Sequence, residues 1–344
     1  MNIDESNKTK ILVFGPDSIH TFKFIKMIVP EYDVTLITDG NSNSYLCRTI
    51  VMSRGIKMFF EIPKIIKEVC PDYIHVHTIN RVTFPLCFLA PSNIPIVLSA
   101  WGSSVLVIPY ISWFHKKFVQ YCLNKSSVIT VDANIEQYVI ERLVDDKVVR
   151  EANFGIDDSY LNLLDDSNSV KENIIYSPRS HSNIYNIGKV IDGFVKFSKS
   201  NPEWRLILGG FEHEENTSRY KEIIKSAGLS ERVLFKGFVS PEENLKLNIR
   251  SKIVVSVPHS DGKSHSVMEA ISSGAICFVS DIPSNHELIM QGVNGFFVES
   301  NEKIDFSLFS EIDMDLLESV NKKLVTGFSF SVNSYRFKQV YENL

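Results

Sequence analysis

A polar loop followed by a short helix is the part of the sequence best suited to chemistry. The stretch Val255–Val298 predicts a strand and then a polar loop over His259–Ser264. A helix follows from about His265 to Ser273, and Gly274 ends it. Because a helix that begins in small polar residues leaves backbone N–H groups open at its positive end, this pattern predicts a seat for a phosphate group.

Two acidic residues lie near this predicted phosphate site in the sequence. Glu269 stands about one turn into the helix, where its carboxylate can reach a hydroxylated ligand beside the phosphate. Asp261 stands eight positions earlier on the loop. Since Asp-Gly is also an ordinary turn dipeptide, a purely structural role for Asp261 stays open at this point.

Several common chemistries lack their motifs in this sequence. After the first predicted strand there is a lone Gly15 where a dinucleotide fold places G-x-G-x-x-G, and no P-loop motif occurs. Neither a G-x-S-x-G elbow nor an H-E-x-x-H pair is present. The D-x-D at Asp313–Asp315 lies in a late acidic segment, where we expect a solvated helix face. Nicotinamide chemistry, P-loop hydrolysis and a D-x-D metal site are therefore not indicated.

Short β-branched runs alternate with amphipathic segments of helix length, a pattern typical of parallel sheets covered by helices. The polar segment Gly155–Asn173 interrupts the alternation and predicts a domain boundary. We expect two Rossmann-like domains, with a ligand cleft between them at the carboxyl ends of the strands. The predicted strands are Ile11–Pro16, Asp33–Thr38, Tyr73–His77, Ile94–Ala100, Ser127–Asp132, Asn173–Pro178, Trp204–Gly210, Arg232–Gly237, Lys252–Pro258 and Ala275–Ser280.

Length, charge and cysteine content narrow the class of protein. The 344 residues suffice for two domains, and the net charge of -5 argues against a nucleic-acid partner. Five scattered cysteines without a C-x-x-C pair favour a reducing compartment. The polar N-terminus lacks the pattern of a signal peptide, and prolines interrupt the longest apolar stretch. We therefore expect a cytoplasmic protein that is not integral to a membrane.

The spacing of the two acids has a known counterpart. Asp261, Glu269 and the following Ala270-Ile271-Ser272-Ser273-Gly274 resemble the E-x7-E motif and the E-A-M-A-x-G-type helix of the family-4 retaining glycosyltransferases of GT-B fold, with Asp in place of the first Glu. The resemblance covers nearly the whole chain. Its other segments are Gly15-Pro16 with Ser18, His20 and Thr21, then Pro71–His77, Trp101–Ser103, Gly155–Asp157, Ser177–Arg179 and Phe235–Val239.

This resemblance implies an architecture of two Rossmann-like domains with parallel sheets facing across a cleft. An N-terminal acceptor domain would span residues 1–155, and a C-terminal nucleotide-sugar domain would span residues 156–325. A C-terminal helix within residues 326–344 would return to the N-terminal domain.

The resemblance also implies roles for individual residues. Glu269 would bind ribose hydroxyls, Asp261 would hold hydroxyls of the transferred sugar, and Arg179 would neutralise the diphosphate, so these three form the implied catalytic set. On the acceptor side it places His20, His77, Ser103 and Ser104. The implied donor-binding residues are Arg179, Phe238, Val239, Gly262, Lys263, Ser264, His265, Ser266, Glu269 and Gly15.

Two departures from the family pattern stand out. The family commonly has a lysine about five residues beyond the arginine, where this sequence has Ile184 and Tyr185, and Lys189 is the next lysine. Relatives often read W-G-S-D, whereas Ser104 occupies the fourth position here. These departures concern the neutralisation of the diphosphate and the acceptor side.

The expected function is transfer of a hexose or N-acetylhexosamine from a nucleotide sugar, UDP-linked, to a surface glycan or its lipid-linked precursor. The donor is a substrate, and we expect neither a cofactor nor a metal ion. Two alternatives stay open: a GT-B-fold nucleotide-sugar epimerase, and a non-catalytic GT-B subunit that supports an active partner.

A stretch in the N-terminal half mixes aromatic and basic residues. Val107–Lys125 places Tyr110, Trp113 and Phe114 beside lysines, a mixture that interfacial helices use on anionic lipid. The alternative is a helix that packs on its own sheet and leaves its lysines in water. The first interpretation predicts a peripheral contact with an anionic membrane, at its inner face.

Overall fold

The computed structural model describes residues 8–40, 46–53, 55–80, 83–158, 161 and 170–344. The chain divides into two compact units, Met1–Phe154 with Phe330–Leu344, and Gly155–Ser329. It therefore passes from one unit to the other after Phe154 and again after Ser329, where the sequence placed the divisions after residues 155 and 325. In the predicted separating segment Gly155–Asn173, residues 159, 160 and 162–169 lie outside the described residues.

The sheet of the first unit is parallel. Its described strands are β1 Lys10–Phe14, β2 Asp33–Thr38, β3 Arg48–Val51, β4 Tyr73–His77, β5 Ile96–Ala100, β6 Val128–Val131 and β7 Val148–Glu151. They pair in the order β3-β2-β1-β4-β5-β6-β7. The order reverses between β1 and β4, so the loops after these two strands leave toward opposite faces and open a crevice at their carboxyl ends.

Helices cover both faces of this sheet. Those described are α1 Ile19–Ile28, α2 Met58–Val69, α3 Phe84–Leu89, α4 Gly102–Leu106, α5 Ile108–Ile111, α6 Trp113–Lys125 and α7 Asn134–Leu143. Ser18 caps α1, since its side chain accepts a hydrogen bond from the Thr21 N–H at 3.3 Å. Phe24, Ile25 and Ile28 then lie on one side of α1 and are fully buried against the sheet.

The second unit repeats this plan. Its described strands are β8 Glu172–Ser177, β9 Arg205–Gly209, β10 Val233–Gly237, β11 Ser251–Ser256, β12 Ile276–Ser280 and β13 Gly295–Val298. They pair in the order β10-β9-β8-β11-β12-β13, all parallel. Here the order reverses between β8 and β11. The loops that follow these two strands carry Arg179 and Asp261.

The helices of the second unit are short and amphipathic. Those described are α8 Ile187–Phe197, α9 Glu214–Ser226, α10 Pro241–Arg250, α11 His265–Ser272 and α12 Met314–Val325. Gly274 follows α11 with a φ of 70°, a conformation that favours glycine, and it turns the chain into β12. The helix predicted from about His265 to Ser273 is thereby confirmed.

The last helix of the chain, α13 Phe330–Glu342, belongs to the first unit. Phe337, Val340 and Tyr341 are buried there, and the Phe337 ring lies 5.0 Å from the Phe24 ring of α1. The Tyr341 hydroxyl is hydrogen-bonded to Nδ1 of His75 at 2.5 Å. This helix completes the core on one face of the sheet.

The fold-class prediction is confirmed for both units, because every predicted strand is present in a parallel sheet. The sequence missed β3, β7 and β13, which are edge strands of four residues each. In β3 no residue is buried and in β7 only Val149 is. These two strands lack the continuous apolar run that marks a central strand of a parallel sheet, whereas β13 is apolar but only four residues long.

Candidate functional site

The reversal of strand order in the second unit brings Arg179 and Asp261 together. Arg179 stands two residues beyond β8 and Asp261 five residues beyond β11, and these strands pair in register with Ile175 opposite Ile253. One Nη atom of Arg179 forms an ion pair with the Asp261 carboxylate. Residues 82 positions apart in the sequence therefore share one site.

The loop before α11 supplies further acceptors to the same guanidinium. The other Nη atom of Arg179 donates to Oγ of Ser264 at 3.3 Å and to Oγ of Ser266 at 3.1 Å. Only 13% of the Arg179 side chain and 26% of the Asp261 side chain are exposed to solvent. The edge of the guanidinium therefore points at the loop that the sequence predicted to hold a phosphate.

An aromatic ring covers the face of the guanidinium. Tyr185 ends a 3-10 turn, Asn183–Tyr185, and the guanidinium carbon of Arg179 lies 4.3 Å from the centre of its ring. The carbonyl of Ile184 accepts a hydrogen bond from the His259 N–H at 2.9 Å, which ties this turn to the loop after β11. A tyrosine thus stands under Arg179 in the region where the family commonly has a lysine.

Helix α11 begins at this loop. Ser264 has extended backbone angles, and its carbonyl accepts the first hydrogen bonds of the helix from Val267 and Met268 at 3.1 and 3.0 Å. His265 is the first helical residue, and Gly262 is buried in the loop before it. The N–H groups of a first turn have no acceptor within the helix, so they are suited to an anion.

Glu269, one turn along α11, is held by residues that the sequence did not single out. Nδ2 of Asn244 donates to Oε2 of Glu269 at 2.8 Å, and the Tyr176 hydroxyl donates to Oδ1 of Asn244 at 2.8 Å. Asn244 lies on α10 and Tyr176 on β8. The sequence carried one signal, the Ser240-Pro241-Glu242-Glu243 helix start just before Asn244, but it does not reveal which face of α10 meets α11.

The two lysines near the site are engaged elsewhere. Lys263 lies in the predicted phosphate loop, and its Nζ is 3.1 Å from Oε2 of Glu287 with 9% of the side chain exposed. Lys189, the lysine that the sequence offered in place of the missing one, donates to the backbone carbonyls of Glu299 and Ser300. Its ammonium is therefore held at the end of β13, apart from the partners of Arg179.

Phe238 and Val239 follow β10 at the same end of the sheet. The ring of Phe238 is 66% exposed and lies 5.3 Å from the ring of Phe211, which is 67% exposed and follows β9. Val239 is half-buried. The sequence predicted backbone contacts at Phe238 and Val239, and the structure adds an exposed aromatic pair beside them.

The residues predicted in the first unit lie at its own reversal of strand order. Gly15 follows β1, and a Cβ atom there would come within 3.0 Å of Thr21 and 3.3 Å of His77. A larger residue would press on both side chains, so glycine suits the close approach of α1 to β4. His20, half-buried on α1, lies 5.5 Å from Trp101 between ring centres.

His77, which the sequence predicted on the acceptor side, is completely buried. Its ring packs against Phe24, Trp101 and Phe154 with centre distances of 4.2, 5.2 and 5.7 Å. Among the described residues neither ring nitrogen of His77 has a hydrogen-bond partner. Burial, helped by the neighbouring histidines, holds the pKa of His77 well below its usual value, so the ring is neutral.

Ser103 and Ser104 were both predicted on the acceptor side, and the structure separates them. Ser103 is exposed on α4. Ser104 is completely buried, and its hydroxyl bonds to the Thr78 hydroxyl at 2.7 Å and accepts from the Ile79 N–H at 3.0 Å. The prediction for Ser104 therefore needs correction: it holds the turn after β4, where Thr78 has a φ of 61°, and reaches no solvent.

Two family models match the chain one after the other. Residues 10–133 match the family described as glycosyl transferase 4-like, and residues 164–308 match glycosyl transferases group 1. The chain belongs to the family-4 glycosyltransferases. One matched segment lies in each unit, and the second contains Arg179, Asp261 and Glu269.

Among curated proteins, this family-4 chain is similar to the GDP-mannose:cellobiosyl-diphosphopolyprenol alpha-mannosyltransferase of Xanthomonas oryzae pv. oryzae. The two are 31% identical over 140 residues, which is 38% of this chain and 37% of that relative. The same enzyme of Xanthomonas campestris is 29% identical over 98 residues, which is 26% of its length. The matches thus span 37% of the first relative and 26% of the second.

Solved structures establish the GT-B fold. Alr3699/HepE of Anabaena, determined in complex with UDP, superposes with a TM-score of 0.80 at 12% identity, covering 98% of this chain and 100% of that chain. A glycosyltransferase of Rickettsia africae gives a TM-score of 0.74 at 17% identity, covering 98% of each chain. At these identities the similarity concerns the fold alone.

Proposed function

We propose that the chain is a retaining glycosyltransferase that moves a hexose or N-acetylhexosamine from a nucleotide sugar to a surface glycan or its lipid-linked precursor. The observation that carries the proposal is the cluster of Arg179, Asp261, Ser264 and Ser266 at the start of α11, with Glu269 one turn further along. A cationic edge and a helix start meet there. Together they suit a diphosphate.

The chemistry follows from where charge develops. As the bond between sugar and diphosphate breaks, negative charge grows on the leaving phosphate. Arg179 and the backbone N–H groups of Gly262–Ser266 are oriented before the reaction to stabilise it. The leaving oxygen itself takes the proton of the acceptor hydroxyl, on the face from which it departs. This mechanism needs neither a protein base nor a metal ion.

The two acids act on different parts of the donor. Glu269 accepts hydrogen bonds from the ribose hydroxyls, and Asp261 turns from Arg179 to hydroxyls of the transferred sugar once the diphosphate occupies the guanidinium. Phe238 and Val239 lie at the base, beside the exposed ring of Phe211. This division explains why one carboxylate is held by Asn244 and the other by Arg179.

The nucleotide of the donor is a separate part of the proposal. The family resemblance favours UDP, and the structure similar to this chain from Anabaena contains UDP. The curated relatives are named for GDP-mannose and for a diphosphopolyprenol-linked acceptor. We propose a UDP-linked donor and a lipid-linked acceptor of that class. GDP-mannose is the competing donor, and the relative affinities for UDP and GDP distinguish the two.

An exposed surface of the first unit is consistent with the proposed lipid-linked acceptor. None of the described helices has both the length and the apolar character needed to cross a bilayer. The helix predicted over Val107–Lys125 is two helices, α5 and α6, which meet at Ser112. Val119, Cys122 and Leu123 of α6 pack on the sheet, whereas its first turn does not.

We name the exposed part of this region the aromatic–lysine surface, and it consists of Tyr110, Trp113, Phe114, Lys116 and Lys117. The three rings are 65, 65 and 76% exposed. Rings of this kind beside lysines suit the headgroup region of an anionic bilayer. We propose that this surface holds the enzyme at the inner face of the membrane, on the cytoplasmic side.

Binding and turnover test the function. Calorimetry with UDP and GDP on the wild type and on Glu269→Gln is expected to show a loss of about 1.5 to 3 kcal/mol in the variant, the range for hydrogen bonds to a charged group. Glu222→Gln, an exposed acid on α9, is the matched control and keeps full affinity. Undiminished affinity in Glu269→Gln would remove the donor from α11.

Turnover on a panel of nucleotide sugars separates the alternatives. Slow donor hydrolysis or transfer with retention at the anomeric carbon, observed by NMR, supports the proposal. A new free nucleotide sugar would instead identify an epimerase. Binding without any turnover would identify a non-catalytic subunit, and an inverted product would reject the retaining mechanism.

A further inference from the structure

A hydrogen-bonded chain of three residues ends on the carboxylate of Glu269. The hydroxyl of Tyr176 donates to Oδ1 of Asn244, and Nδ2 of Asn244 donates to Oε2 of Glu269, each at 2.8 Å. The three side chains come from β8, α10 and α11, so their contact joins three separate elements of the second unit. Tyr176 is completely buried.

The direction of these hydrogen bonds is determined by their chemistry. An ionised carboxylate offers only acceptors, so Asn244 must turn its NH2 group toward Glu269 and its carbonyl oxygen toward Tyr176. The Tyr176 hydroxyl must then be the hydrogen-bond donor to Asn244. Burial, with the negative charge of Glu269, raises the pKa of Tyr176, so the hydroxyl keeps its proton at neutral pH.

The backbone orients Asn244 toward its partners and leaves room for the Tyr176 hydroxyl. Ser240 caps α10 by accepting from the Glu243 N–H at 3.2 Å, which places Asn244 in the first turns of the helix. Leu247, three residues on, is buried, so Asn244 lies toward the same inner face. A Cβ atom at Gly209 would come within 3.1 Å of the Tyr176 hydroxyl, so glycine on β9 leaves room for that hydroxyl.

We infer that Asn244 is a positioning residue that holds the Glu269 carboxylate in one orientation for nucleoside hydroxyls, with Tyr176 fixing the orientation of its amide. The inference rests on the proposed role of Glu269. A carboxylate whose one oxygen is fixed by a donor loses less rotational freedom when a ligand binds the group. Asn244 therefore raises the affinity for the nucleoside part of the donor without touching the phosphates.

The test compares a ligand that has ribose with one that lacks it. Calorimetry measures UDP, or GDP if the wild type prefers it, and inorganic pyrophosphate on the wild type and on Asn244→Leu, which keeps the size of the side chain. We expect about tenfold weaker nucleotide binding, as for a lost hydrogen bond to a charged group, and unchanged pyrophosphate binding. Combined with Glu269→Gln, Asn244→Leu should weaken nucleotide binding by less than about twofold, because it acts through Glu269.

Two further variants distinguish an effect on the orientation of Glu269 from an effect on the fold. Asn321→Ala removes a buried amide of α12 that is paired with Asn294 at 3.1 Å, and it reports what such a loss does to the fold alone. Tyr176→Phe keeps the ring and removes only the hydroxyl. The Asn244 amide then loses its fixed orientation, and nucleotide affinity should fall about threefold while pyrophosphate affinity stays constant. If Asn244→Leu does not fold, Tyr176→Phe decides the question.

The outcomes separate the two proposals. A wild type that binds neither nucleotide overturns the proposed function. A wild type that binds, a Glu269→Gln variant that loses affinity and an Asn244→Leu variant that does not would overturn the inference alone. Equal losses for nucleotide and pyrophosphate, or full additivity with Glu269→Gln, would show that Asn244 only supports the fold and would also overturn it.

Discussion

The guanidinium carbon of Arg179 lies over the ring of Tyr185, 4.3 Å from its centre, while its Nη atoms are hydrogen-bonded to Asp261, Ser264 and Ser266. The ring shields one face of the cation from water and leaves the hydrogen-bonding edge directed at the loop before α11. A lysine at this place would add a second charge. Tyrosine instead fixes the geometry of the one arginine.

Removal of the Tyr185 ring should therefore weaken phosphate binding. We expect Tyr185→Ala to lower the affinity for pyrophosphate by about 1 kcal/mol, the usual contribution of a cation over an aromatic face. Tyr185→Phe keeps the ring and should bind like the wild type. Calorimetry on both variants checks this, and equal losses would mean that the hydroxyl, not the ring, matters.

In the proposed binding mode, the diphosphate competes with Asp261 for the Nη atom of Arg179 that now pairs with this carboxylate. Asp261→Asn removes a charged competitor, so we expect it to bind UDP roughly fivefold more tightly, within the range for hydrogen bonds to charged groups. Turnover should fall, because the sugar loses its carboxylate. Asp281→Asn, whose partner is His286 at 2.6 Å, is the matched control and should change neither quantity. Weaker UDP binding in Asp261→Asn would contradict the competition.

We expect turnover without a divalent metal ion. The D-x-D of the sequence has a structural role, since Oδ1 of Asp313 accepts from the N–H groups of Asp315 and Leu316 at 3.0 and 3.1 Å and caps α12. In the proposed mechanism, Arg179 supplies the positive charge instead. Initial rates should be the same in EDTA and in manganese, and a rate abolished by EDTA and restored by manganese would disprove the prediction.

Charge reversal on the aromatic–lysine surface should release the protein from anionic vesicles. Each lysine near such a surface contributes about 1 kcal/mol at low salt, and reversal costs more. Lys116→Glu combined with Lys117→Glu should abolish flotation with vesicles that contain an anionic lipid. The control makes the same change at two exposed lysines of α12, Lys322 and Lys323, and should float like the wild type. Equal flotation of both double variants would refute the membrane contact.

Two buried histidines should make the first unit sensitive to acid. Burial lowers the pKa of His75 from 6.5 to about 3, and that of His77 is also well below 6.5. Between those values the unfolded chain binds protons that the folded chain does not. Stability should therefore fall as the pH drops below about 6.5, by about 1.4 kcal/mol per pH unit for each histidine.

Urea unfolding at pH 7 and pH 5, followed by fluorescence, measures this dependence. Trp101 reports on the first unit, since its ring lies 5.2 Å from that of His77. His75→Gln should be less stable than the wild type at pH 7. Its free energy of unfolding should fall less between pH 7 and pH 5, because one of the two titrating histidines is gone. An unchanged slope would show that His75 is not the titrating group.

The sequence predicted what depends on local pattern and on the ends of strands. The β-branched runs predicted the central strands, and the polar loop with Glu269 predicted α11. The partners of Glu269 were missed, because Tyr176 and Asn244 lie 68 positions apart and meet only through the packing of α10 on the sheet. The prediction for Ser104 failed because α4 begins directly at Gly102 and thereby directs the Ser104 hydroxyl inward, to Thr78.

The return of α13 to the first unit has a consequence for the order in which the protein matures on the ribosome. Synthesis delivers the seven described strands of the first sheet early, yet Phe337, Val340 and Tyr341 arrive only with the final helix. Until then the face formed by α1 and the sheet lacks part of its apolar cover, and His75 lacks its tyrosine partner. Gly155–Ser329 emerges as an uninterrupted segment in the meantime. Of the two units, the one whose strands are translated earlier is thus the later to close its core.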